Sequence, residues 1–234
     1  MKKIIYSLIT ALLLVGTYQE VSAQADKQQE VSARADKNVP TEKTRRFLVR
    51  YVNSMDTAST FETKANLLRG IEMVAKASKS DWISQYHASF FNAILSTEKK
   101  DTAEANKMLN KAEEYIKTAN SIQANESEIV LLRAMINGMR IGVNPSLGAT
   151  LGQDVMKGYA EAKKLNAENP RVYLVIGESY MYMPEEAGGG MKVAKANLEI
   201  ALKKFENDKH DDPAWPIWGK DRAQKLLAEI DSKK

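Results

Sequence analysis

Four stretches of this chain repeat one small pattern: a small residue, an apolar one four positions on, and alanine three further. They are Gly70/Val74/Ala77, Ala112/Ile116/Ala119, Val155/Tyr159/Ala162 and Ala194/Leu198/Ala201, with Val155 a little larger than its counterparts. Spacings of four and three place each trio on one helical face, with small side chains where another helix must approach closely. The trios begin about forty residues apart, and self-similarity at such a period marks stacked helical units. No Val/Ile/Thr run with alternating polarity occurs, so the pattern predicts an all-α fold.

Helix-start signals support this. Ser80 precedes Trp82, Asp101 stands three residues before Glu104, Asn125 three before Glu128, and Asn169 directly before Pro170. The middle two have the spacing of a capping box, in which a side-chain acceptor meets free amides and a carboxylate reaches back. Proline after Asn169 suits the first helical position, where its missing donor costs nothing. The expected helices are 41–54, 58–77, 81–98, 102–119, 126–140, 152–165, 170–183, 190–206 and 218–231. Most connections are short, so neighbours should run antiparallel. The exception is Arg140–Gly152, with three glycines and Pro145, a place for either a binding loop or a permissive insertion.

The trios resemble the second helix of a tetratricopeptide repeat. Tyr173-x2-Ile176-Gly177-x2-Tyr180 is similar to the signature of the first helix, with Gly177 the residue that admits its neighbour. The period is longer than the standard one, stretched at Ile141–Gly152 and Pro184–Gly190, and Ala124 and Ala167 stand where a closing proline is usual. The resemblance implies a solenoid of about four antiparallel helix pairs. Asn169-Pro170-Arg171, Pro184-Glu185, Gly188-Gly189-Gly190 and Pro216-Ile217-Trp218-Gly219 resemble an exported group of bacterial tetratricopeptide-like proteins, and more distantly the helical periplasmic component of TRAP-type transporters. The first likeness implies fold and export. The second would imply a trimeric, ligand-associated role.

Export is also readable from the residues. Lys2 and Lys3, the apolar Ile4–Gly16 stretch and Val21-Ser22-Ala23 have the layout of a signal peptide over 1–23, cleaved after Ala23. The apolar run is shorter than the ~20 residues a spanning helix needs. Residues 24–39 read as a disordered linker: Gln19–Lys27 is nearly duplicated at Gln29–Lys37, which leaves Ala33 as an alternative cleavage point. The tetratricopeptide-like domain is then 40–234. With no Cys in the chain there is no thiol for a lipid anchor, a disulfide or a thiolate metal site. The net charge of +4 comes from interspersed signs without a long basic run, so nucleic acid is not an expected partner.

Candidate site residues cluster in the C-terminal third. Gly188, Gly189 and Gly190 precede a helix whose free amides, assisted by Lys192 and Lys195, would suit an anion; the competing reading is a tight return between helices. Arg171, Tyr182 and Glu185 complete the set of expected ligand or partner contacts, Tyr182 because it lies off the repeat register of Tyr173 and Tyr180. Glu178 and Glu185 could serve a hydrolase only if a cleft held them across from each other. His210-Asp211-Asp212 reads as a solvated turn rather than a metal site, His87 as a packed side chain, and Trp215 and Trp218 as anchors of the last helix. No cofactor motif, catalytic set or metal-ligand spacing is present, and no enzymatic activity is expected.

Three functions follow. The first is a non-catalytic periplasmic or secreted module holding a protein or peptide on a repeat surface, or associating with a second copy. The alternative is a periplasmic carrier of a small ligand, roofed by the 141–152 and 184–190 loops. The third is the hydrolase.

Overall fold

The computed structural model describes residues 40–232. The leader and linker assigned to 1–39 lie outside the described residues. Nine α-helices follow one another: α1 Glu42–Thr57, α2 Phe61–Ala77, α3 Trp82–Ser96, α4 Thr102–Ile122, α5 Ser127–Val143, α6 Gly148–Leu165, α7 Pro170–Tyr182, α8 Met191–Phe205 and α9 Lys220–Ser232. The described residues contain no strand, and the fold is all-α.

Six of the helices begin where a side chain accepts from an orphan amide. Thr41, Thr60, Asp81, Asp101 and Asn169 take the amides of Thr44, Thr63, Ser84, Glu104 and Arg171. Two starts differ from expectation. Asp81, not Ser80, caps α3. At α5 the cap is Glu126, because Asn125 takes a left-handed turn at φ 62°; Glu128 is freed from a capping box and points into the core.

The helices pack as consecutive antiparallel hairpins, α1/α2, α3/α4, α5/α6 and α7/α8, and α9 closes the array against α8. Ala112, Ile116, Ala119, Val155, Tyr159, Ala162, Ala194, Leu198 and Ala201 are all buried, as their shared face requires. Close approach explains the small residues: a Cβ on Gly158 would stand 2.7 Å from that of Ala134, and one on Gly177 3.1 Å from the Ala194 carbonyl oxygen. The first hairpin breaks register. Ala77 is exposed there, while Ile71 and Ala75 join Gly70 and Val74 inside. Gly70 instead makes room for the Tyr51 ring of α1.

The first helix of each later hairpin is more deeply enclosed than the second. In α3 every residue but Trp82 and Ile94 is buried, a pattern that an amphipathic surface helix does not show. Partner helices cover one side of α3, α5 and α7. On the other side the chain covers itself: residues 206–219, without regular structure, run from the end of α8 back to α3 and α1 before α9 begins.

The expected long loop at 141–152 does not exist. Helix α5 continues to Val143, Asn144 caps a single 3-10 turn over Pro145–Leu147 by accepting from the Ser146 amide, and α6 starts at Gly148. The glycines there are helical residues, so this stretch offers no loop to roof a pocket.

Candidate functional site

The N-terminal ends of α5 and α7 meet in a buried polar network. Arg171, 1% exposed, donates from Nε to Glu128 Oε1 at 2.7 Å, and its Nη1 and Nη2 bond both oxygens of Asp208 at 2.7 and 3.2 Å. Asn169 Nδ2 donates to Glu128 Oε1 at 2.8 Å, and the Tyr86 hydroxyl to Oε2 at 3.3 Å. Burial pushes the Glu128 carboxyl up and the Arg171 guanidinium opposes it. The three donors that converge on Glu128 favour its carboxylate form. Tyr86 in turn accepts from Trp218 Nε1 at 2.9 Å. Arg171, expected from sequence to meet a ligand, is therefore turned inward and fully engaged with the protein.

The Gly188–Gly190 turn is also spent on the protein itself. The three amides donate to Glu185, Pro184 and Tyr180 carbonyls at 2.9, 3.0 and 2.9 Å, so an anion would find no free donor among them. Gly188 and Gly190 take φ values of 84° and 99°, and a Cβ on Gly190 would stand 2.6 Å from Glu185 Cγ. The turn is the tight return of the competing reading. Glu185 folds against it, and Lys192 opens the exposed side of α8.

The C-terminal halves of the first helices leave a cleft. Two adjoining cavities of about 660 and 590 Å³ share Thr97, Met135, Met139, Val175 and Glu178 as walls. A volume of several hundred cubic ångströms is that of a small-molecule site. Met55, Phe90, Phe91, Leu174 and Trp218 line one end; Gly138, Gly142, Tyr159 and Tyr182 line the other. Lysines 64, 99 and 100 and Arg222 stand around it. Lys64 pairs with Glu98 at 2.6 Å and Lys99 with Glu104 at 2.8 Å, and Arg222 of α9 pairs with Glu178 of α7. The cleft is thus an apolar floor under a charged rim.

Of the expected contacts, only Tyr182 lies here, and the residue is 76% exposed. Tyr173 and Tyr180 pack within the repeats, as their register implies. Glu178 is tied to Arg222 rather than paired with a second acid. Sequence reasoning did not single out Gly138 and placed Gly142 in a loop rather than in a helix. They sit four apart on α5 and line the cleft, and a Cβ would meet only Tyr159 Oη at 3.5 Å in the first case and nothing within 4 Å in the second. Packing does not demand glycine at either position, and that is the signal: two glycines in a helix, which weaken it, serving no close crossing.

Neither histidine faces this cleft. His87 Nε2 donates to the Ala214 carbonyl at 2.7 Å, and burial holds its pKa down at about 4. His210 bonds Asp208 at 2.8 Å and stacks on Trp215. No group of three or more His, Asp or Glu able to hold a metal occurs among the described residues, and no described helix is long and apolar enough to cross a membrane.

The described residues thus form an all-α array of helical hairpins around a cleft with an apolar floor and a charged rim. No family model matches the chain, and no curated protein sequence matches it. Among solved structures it is similar to the HusA haemophore from Porphyromonas gingivalis, with a TM-score of 0.71 and 27% identity over 80% of this chain and 92% of that one.

Proposed function

We propose that this protein is a secreted or periplasmic, non-catalytic carrier of a small, flat and largely apolar molecule held in the α3/α5/α7 cleft, with haem as its cargo. The observation that carries the reading is the cleft itself: an apolar floor of methionine, aromatic and aliphatic side chains under a rim of mixed charge, whose Lys64, Lys99, Lys100 and Arg222 suit the carboxylates of an amphipathic ligand. The similarity to a haemophore supports haem in particular. Tyr182, Met135 and Met139 belong to the classes of side chain that ligate haem iron, so the lining is compatible with the cargo.

Export fits the reading, since the sequence begins with the features of a signal peptide. A module that holds an extended protein segment is less well supported: the face formed by the N-terminal halves of α3 and α7, where such a segment would lie, is occupied by residues 206–219. The hydrolase reading loses its acid pair to the Glu178–Arg222 bridge.

The test is an absorbance titration of the mature chain with haem. Saturable binding at one or a few sites, with micromolar or tighter affinity, supports the carrier. A featureless response indistinguishable from that of an unrelated helical protein rejects it.

A further inference from the structure

Of the three aspartates in residues 206–219, Asp208 and Asp212 are each held by an arginine of a different hairpin. Asp208 is gripped by Arg171 of α7, and Asp212 Oδ2 lies 3.2 Å from Arg45 Nη2 of α1, which also binds Asp81. Between and beyond these clamps the segment is seated on rings and single hydrogen bonds. Trp215 meets Trp82 edge-on at 5.2 Å, the Ala214 carbonyl accepts from His87, and Trp218 stacks on Phe90 at 4.9 Å. Its backbone hydrogen bonds are local turns, such as Trp215 N–H to the Asp212 carbonyl, with no ladder to any helix. A segment attached at discrete side-chain points opens more easily than the helices beneath it.

Trp218 links this segment to the cleft. Its Nε1 is tied through Tyr86 to Glu128, and so to the Arg171 clamp, while its ring forms cleft wall beside Met55, Phe90 and Leu174. Gly219, at φ 111°, lets the chain turn there: a Cβ would stand 2.7 Å from Leu174 Cδ2 and 3.0 Å from Phe205 Cζ. We infer that residues 206–219 form a strap whose docking completes the ligand cleft, with Trp218 as its ligand-contacting wall, so that cargo binding and strap closure stabilise each other. This inference rests on the carrier reading above. A ligand that binds only the strapped form must shift the strap toward closure, and loosening the strap must weaken the ligand by the same factor.

The test uses the full mature chain, haem, and trypsin cleavage after Lys209, an exposed strap residue. Saturating haem should slow that cleavage at least fivefold in the wild type. Asp212→Asn, which leaves Arg45 its Asp81 partner, should cleave faster at Lys209 and bind haem at least fivefold more weakly. Trp218→Leu should weaken haem at least tenfold with helical circular dichroism unchanged. Wild-type haem affinity in both variants, or haem binding that leaves Lys209 cleavage unaltered, overturns the strap coupling while the carrier reading stands. A wild type that binds no haem overturns the carrier reading, and the haem-linked strap with it.

Discussion

Arg171 Nε and Glu128 Oε1 lie 2.7 Å apart with side chains 1% and 2% exposed, joining the starts of two neighbouring hairpins inside the protein. Taking both charges out of water is expensive, and the pair stands because Asn169, Tyr86 and Asp208 satisfy what remains. Removing only the cation leaves a buried carboxylate unmatched. Arg171→Met should cost about 3–5 kcal/mol in unfolding free energy by urea titration, whereas the exposed pair Arg46–Glu42 should be worth less than about 1 kcal/mol.

The pH dependence of stability should carry the mark of His87. Its folded pKa is pulled from 6.5 to about 4, chiefly by burial, with the Ala214 hydrogen bond, Asp81 and Asp212 opposing and Arg45 reinforcing. The unfolded chain takes up a proton below pH 6.5 and the folded one does not, so stability is full above that value and falls as the pH drops toward 4. The loss from this residue reaches about 3 kcal/mol at the lower end. His87→Gln, which keeps a donor for Ala214, should flatten the pH profile of the urea midpoint over that interval.

Gly142 tests whether the cleft is kept open at a cost. Open space surrounds its Cβ position, so Gly142→Ala should stabilise the protein by about 0.5–1 kcal/mol in thermal or urea unfolding. Gly142→Trp, which projects into the same space, should fold normally and weaken haem at least tenfold in the absorbance titration. Undiminished haem affinity in the tryptophan variant would move the ligand elsewhere.

The tight return at residues 184–190 gives an independent check on the loop. Gly190→Ala strains a φ of 99° and drives a methyl group against Glu185, so it should lose about 1–3 kcal/mol of stability with ligand affinity unchanged. A selective loss of affinity at full stability would restore the loop as a binding element.

The helices were legible because their information is local. Periodic trios and caps such as Asp101 and Asn169 are set within a few residues, and all nine helices lie where they are expected, with ends shifted by a few positions. The cleft was not legible, because it is made by what separate helices leave unfilled. Tyr182 stands out by being off register, but Met135, Val175 and Trp218 look like core residues until the hairpins are stacked. Arg171 misled for the converse reason: a lone arginine beside a cap reads as surface until Glu128 and Asp208, 43 and 37 residues away, close on it. The two tryptophans were expected to anchor the last helix across the final repeat. Trp218 does pack against the cluster that holds Ala223 and Leu226 of α9, but both rings also reach back to α3, a long-range choice that Pro213 and Pro216 permit and no local pattern encodes.

The carrier account is tested most directly by backbone amide chemical-shift mapping of the isotope-labelled mature chain with a diamagnetic haem analogue such as gallium protoporphyrin. Saturable shifts concentrated at residues 135–142, 175–182 and around Trp218 are the predicted result. Shifts confined to the outward faces of α2, α4, α6 and α8, or none at saturating ligand, would contradict it.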